Sequence, residues 1–147
     1  MGIFSIKPRQ LPSRIAAGAF ILNSGIGKLS ADEATAAHLH GFAVGAYPFL
    51  AKIKPKDFAR LLAVSEVALG TALLIPFVPD VLAGAGLTAF SGGLLGLYAR
   101  TPGLRKEGSP FPTQDGIALA KDVWMAGIGV SLLVDGITEA ASSNRSG

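Results

Sequence analysis

Between Leu61 and Tyr98 the chain runs for 38 residues with only two ionisable side chains, Glu66 and Asp80. As helix, at about 1.5 Å per residue, that run would cover roughly 57 Å, or about two bilayer cores. Its centre holds Pro76-Phe77-Val78-Pro79-Asp80. Proline removes a backbone donor and disfavours helix in the residue before it, so this pentapeptide predicts a tight turn between two spanning helices, about 60–77 and 80–99. A further apolar run, Ile117 to Val134 with Trp124 inside it, predicts a span over about 116–135. Asp115 and Gly116 offer its cap and break. The first span, about 11–29, has an apolar centre, Ile15 to Gly27, bounded by Arg14 and Lys28. Its cations can snorkel to headgroups and lengthen it. The rival reading is a signal peptide with Lys7, Arg9 and Arg14 as its basic region; three later hydrophobic spans favour retention.

The connections are more polar. Residues 30–58 contain an apolar patch, 41–51, too short to span and suited to an interfacial or re-entrant element. Lys52, Lys54 and Lys56 then mark a headgroup boundary. Residues 100–115 carry Arg100, Arg105, Lys106 and a Ser109-to-Thr113 run, read as an ordered extramembrane loop, and the small polar tail from Ser142 is expected to fray. The fold class expected is all-α: a polytopic membrane protein of four transmembrane helices, with a short interfacial segment between the first and second, as one domain over 1–147.

Composition supports that pattern. Half of the 147 residues are hydrophobic, 16% are charged and mean hydropathy is +0.48. A soluble domain carries about 25% charge, and disorder needs low hydrophobicity, so both fit poorly. The absence of cysteine excludes disulfides and thiolate metal sites within this chain. Thirteen Lys and Arg residues, spread along the chain, read as loop topology and lipid contact, with no nucleic-acid patch. Nine of them lie in the connections 28–60 and 100–121, against four near the termini. That count favours cytoplasmic connections and external termini; the flanks of the first helix alone favour the reverse.

Ionisable groups at membrane depth are costly and mark candidate sites. The candidate intramembrane cluster is Arg14, Lys28, Glu66, Lys121 and Asp122. Arg14, Ala17, Gly18, Ile21, Gly25 and Lys28 share one helical face, with small residues between two cations. Glu66 is expected to pair with one or more of Lys28, Lys121 and Arg14. Lys121 and Asp122 point about 100° apart and cannot face the interior equally. Such a pair either fixes which helices are neighbours, the preferred reading, or binds a quinone head group, a substrate or a proton. Gly84, Thr88, Gly92 and Gly96 form a small-residue stripe, read as helix packing within the bundle or a seam for another subunit. His38 and His40 point about 200° apart on a helix and lack a third strong ligand beyond Asp32 and Glu33, so no metal site is predicted. No phosphate-cradling loop and no nucleophile, base and orienting acid can be assembled, and no catalytic residue is assigned.

From Arg14 to Leu133 the chain resembles the DoxX family of small four-helix membrane proteins. The resemblance rests on Arg14-Ile-Ala-Ala-Gly-Ala-Phe-Ile-Leu-Asn-Ser-Gly-Ile-Gly-Lys28-Leu, on Glu66-Val-Ala-Leu-Gly70, and on the polar start of the last helix, Ala120-Lys-Asp122. That family takes its name from a membrane subunit of archaeal thiosulfate:quinone oxidoreductase. Small size, the lack of catalytic chemistry and the small-residue stripes point to an accessory or scaffold subunit of a larger respiratory or redox-linked complex, partnered by the bilayer and other membrane subunits in a bacterial plasma membrane. The resemblance, with the cluster of Arg14, Lys28 and Glu66, implies the alternative, a quinone-interacting subunit of an oxidoreductase. With no cysteine and no cofactor ligand set, this chain could at most hold a quinone or a partner's cofactor.

Overall fold

Proline and a single side-chain cap set most of the helix limits in the computed structural model, which describes residues 8–101, 103–109, 111–114 and 116–146. After a 3-10 turn, Pro8–Gln10, helix α1 runs Leu11–Leu29. Helix α2 is Glu33–Ala46, followed by a 3-10 turn, Pro48–Lys52. Helix α3 is Pro55–Leu74 and α4 is Asp80–Arg100. One helical turn, α5 (Ile117–Ala120), leads to α6, Asp122–Ser146. No strand forms among the described residues beyond an isolated bridge between Arg105 and Pro112.

The Pro76–Asp80 turn lies where the prolines demand it. Ile75, forced out of helical geometry by Pro76, is extended at φ −83°, ψ 109°, and α4 starts directly after Pro79. Pro55, with φ already helical, starts α3 five residues before the expected limit. The expected span over 116–135 is divided, because the chain breaks at Lys121. The segment then stays helical to Ser146, so the tail expected to fray forms the last turns of α6. Asp115, expected as a cap, lies outside the described residues.

The segment between the first two spans differs most from expectation. A short interfacial patch was expected at 41–51, whereas a fourteen-residue helix occupies 33–46. Its start is the Asp32 side chain, which accepts from the Thr35 N–H at 2.8 Å and thereby keeps its carboxyl below the usual carboxylate range. Alanines then carry the helix to Tyr47, where Pro48 stops it.

Two antiparallel pairs form the body, α1 with α3 and α4 with α6. Both are closed by glycine. A β-carbon on Gly70 would lie 2.6 Å from the Leu22 amide nitrogen, and one on Gly25 would lie 2.8 Å from that of Val67. In the second pair, a β-carbon on Gly84 would meet the Leu133 nitrogen at 2.5 Å, and one on Gly129 the Thr88 nitrogen at 2.7 Å. Such backbone approach trades side-chain volume for dispersion contact along the whole seam. Ala17, Ile21 and Leu73 from the first pair and Ala83, Leu87 and Leu132 from the second then make the core between them.

The expected four-residue stripe does not act as one seam. Gly84 and Thr88 face α6, Gly92 has open space around it, and Gly96 sits under the Tyr47 hydroxyl. Four residues advance 400°, so each member is turned about 40° from the one before, and the stripe walks off the α6 face.

Arg9 and Gln10 each donate to Asp135 at 3.0 Å, so the start of α1 and the later half of α6 meet at the same end of the bundle. The α3–α4 turn lies at that end too, held by Arg14. Among the described residues, α4 is the single helix both long and apolar enough to cross a membrane by length and composition, with 21 residues and a mean hydropathy of 1.5. The expected four spans are therefore reduced to one on that criterion. Charged and small residues in α1, α3 and α6 lower their averages, although those helices have 19, 20 and 25 residues.

A buried ion pair, an unpartnered carboxylate and the cavity between the helices

The five expected cluster residues separate into two places. Arg14 is buried at the terminal end, and all five of its N–H groups find acceptors. Nε donates to the Leu73 carbonyl at 3.0 Å, and Nη2 to those of Ala72 at 2.8 Å and Ile75 at 2.9 Å. Nη1 donates to the Val78 carbonyl at 2.8 Å and to Asp80 Oδ1 at 2.7 Å. A helix leaves its last carbonyls without intrahelical donors, and a turn leaves more. Arg14 satisfies both sets and adds a charge-assisted bond to a carboxylate at the positive end of α4. Its expected pairing with Glu66 is replaced by this one, because Arg14 lies four turns along α1 from Lys28 and beside the other end of α3.

Lys28 holds the opposite end. Its ammonium donates to Ser24 Oγ at 2.6 Å and to Glu66 Oε2 at 3.0 Å. Glu66 is buried and Lys28 partly so. Lys121, another expected partner, is exposed, because the one-residue step that buries Asp122 turns its neighbour outward. Asp122 is only 6% exposed. Neither a hydrogen bond nor an ion pair reaches it among the described residues. Lys28, Glu66 and Asp122 thus come together, without Arg14 or Lys121.

Removing one member of a buried ion pair commonly costs about 3–5 kcal/mol, because a bare charge is left behind. Glu66→Ala should lower the melting temperature and the yield of folded protein, and Glu66→Gln should do so less. Glu66→Gln with Lys28→Met should recover part of the loss. A Glu66→Ala protein melting with the parent would show that the pair contributes nothing to the fold.

These three side chains line one part of a cavity of about 740 Å³, bounded by α1, α2, α3, α4 and the start of α6. The remaining wall is mainly apolar. Five aromatic rings contribute to it, those of Phe20, Phe42, Tyr47, Phe58 and Phe90. The Tyr47 hydroxyl donates to the Gly93 carbonyl at 2.7 Å, tying the end of α2 to α4, and the Arg100 guanidinium lies 5.2 Å from the centre of that ring. His40 Nε2 donates to the Leu50 carbonyl, 2.8 Å away, and the ring stands edge-on to Phe58. His38 lines the cavity wall instead, so the two histidines are separated as a helical step of two residues requires.

No group of three potential metal-ligating side chains occurs among the described residues. The cavity presents a cation, two carboxylates and a hydroxyl to an apolar, ring-lined space. Asp80 and the aromatic set were not anticipated as functional positions. Asp80 had a local signal, as a carboxylate opening a helix just after Pro79. The rings had none, since they come from four helices and the residue after α2 at unrelated spacings. No family model, no curated protein and no solved structure matches the chain.

Proposed function

We propose that this chain lies in a bilayer as a bundle of four spanning helices, α1, α3, α4 and α6, with α2 at the interface. In that setting it serves as a non-catalytic accessory or scaffold subunit of a larger, redox-linked complex in a bacterial plasma membrane. The observation that carries the reading is an inverted distribution of polarity. Outward positions of the long helices are mostly apolar, with Ile15 53%, Val64 52%, Leu82 65% and Val134 56% exposed. The buried faces hold four charged side chains, Arg14, Glu66, Asp80 and Asp122, beside the apolar core. A water-soluble bundle has the opposite arrangement. Helices of 19 to 25 residues extend about 28–38 Å, enough for a hydrocarbon core of about 30 Å. The buried charges that lower the hydropathy of α1, α3 and α6 would be hidden from lipid. The resemblance to the DoxX family supports the same reading.

A second reading, a quinone-interacting subunit, draws on the cavity, where the Lys28 ammonium could donate to a quinone carbonyl beside an apolar wall. Purification from native membranes separates the two. The chain should stay with the membrane fraction until detergent is added, then migrate with stoichiometric partner proteins. Release without detergent would refute the bilayer placement. Quinone reduction by the isolated chain would overturn the accessory role in favour of the second reading.

A further inference from the structure

We infer that the cavity is a binding site for a hydrophobic organic cation, with Asp122 as the group that recognises its charge. The inference stands on the cavity and its charges and is independent of whether the chain has partner subunits. Lys28 and Glu66 neutralise one another at 3.0 Å, and Ser24 takes a further donor of the lysine. Asp122 remains, 6% exposed, on the cavity wall, with no donor of its own among the described residues. Two carboxylates face one ammonium, so the site lacks one positive charge. A buried carboxylate without a partner is costly, and a ligand that brings the missing charge removes the cost.

The rest of the wall narrows the class. A hydrated inorganic ion would strip its water against an apolar lining that offers few oxygens. A quinone carbonyl is an acceptor and leaves Asp122 as it was. The faces of aromatic rings attract cations, by about 0.5–2 kcal/mol each depending on desolvation. Phe20, Phe42 and Phe90, on three different helices, make the wall for a cation that carries its own apolar body. A volume of about 740 Å³ holds a drug-sized molecule of this kind.

Tetraphenylphosphonium and tetraphenylborate are nearly identical in shape and opposite in charge, and equilibrium dialysis against the detergent-purified full chain compares them directly. The phosphonium should bind saturably and about tenfold or more tighter than the borate. Asp122→Asn keeps the side-chain shape and should lose about tenfold or more of the phosphonium affinity, with little change for the borate. Labelling of the unmutated chain with dicyclohexylcarbodiimide, mapped by peptide mass, gives a readout that needs no variant. Phosphonium should protect Asp122, and borate should not. Equal binding of the two ions, or full labelling of Asp122 under saturating phosphonium, would overturn the assignment.

Discussion

Arg14→Met should yield almost no folded protein, and Arg14→Lys should rescue little of it. The guanidinium satisfies five acceptors at once: Ala72, Leu73, Ile75, Val78 and Asp80. Each buried acceptor left without a donor costs about 1–3 kcal/mol, and loss of the charge-assisted bond to Asp80 adds to that. That total rivals the whole stability of a typical domain, about 5–15 kcal/mol. Lysine restores the charge but carries at most three donors on one nitrogen, so it cannot span the same acceptors. Adding Asp80→Asn to Arg14→Met should recover only part of the ionic loss, because the carbonyls of Ala72, Leu73 and Val78 still lack the donors that Arg14 gave them. Detergent size-exclusion profiles and melting curves measure both outcomes. A monodisperse Arg14→Met protein melting near the parent would show that the turn between α3 and α4 holds without this residue.

The second large effect separates two glycines of the same stripe. Gly84→Ala puts a methyl group 2.5 Å from the Leu133 nitrogen and 2.8 Å from the Gly129 carbonyl oxygen. Both are backbone atoms, so no side-chain rotation relieves the overlap, and α4 and α6 must move apart. Overpacking of this kind costs about 1–3 kcal/mol, against about 1 kcal/mol returned by the better helix propensity of alanine. The melting temperature should fall by several degrees. Gly92→Ala, eight residues along α4, meets nothing within 4 Å. It should melt at or slightly above the parent. Equal losses at both positions would mean that helix entropy, and not close approach to α6, sets the response.

Much of the helix layout was legible locally. Proline acts on its own neighbours, so Pro76 and Pro79 marked the turn between α3 and α4 without knowledge of anything distant. The same holds for the direction of Asp122 relative to Lys121, which follows from one helical step. Helix α2 was missed although its start was written in Asp32, Glu33 and Thr35. Half of its fourteen residues are alanine or histidine, its apolar periodicity is weak, and the apolar patch 41–51 straddles its end. Helices α1, α3 and α6 fall short of the hydropathy of a span because an average over a window counts every charge, including those that meet a buried partner.

From the sequence alone came the all-helical class, the hairpin turn at Pro76–Asp80 and the short list of cations, Lys28, Lys121 and Arg14, that could pair with Glu66. Those rest on backbone geometry and on the cost of isolated charge, which act over a few residues or on very few candidates. Only the tertiary structure decided that Arg14 serves the end of α3 and Asp80, that the stripe from Gly84 to Gly96 divides among α6, open space and Tyr47, and that five rings from four helices and the residue after α2 share one cavity with Asp122. These depend on which helix ends lie together. An antiparallel α1–α3 pair brings residue 14 beside residues 72–80 and residue 28 beside residue 66, and nothing in the spacing along either helix fixes that register.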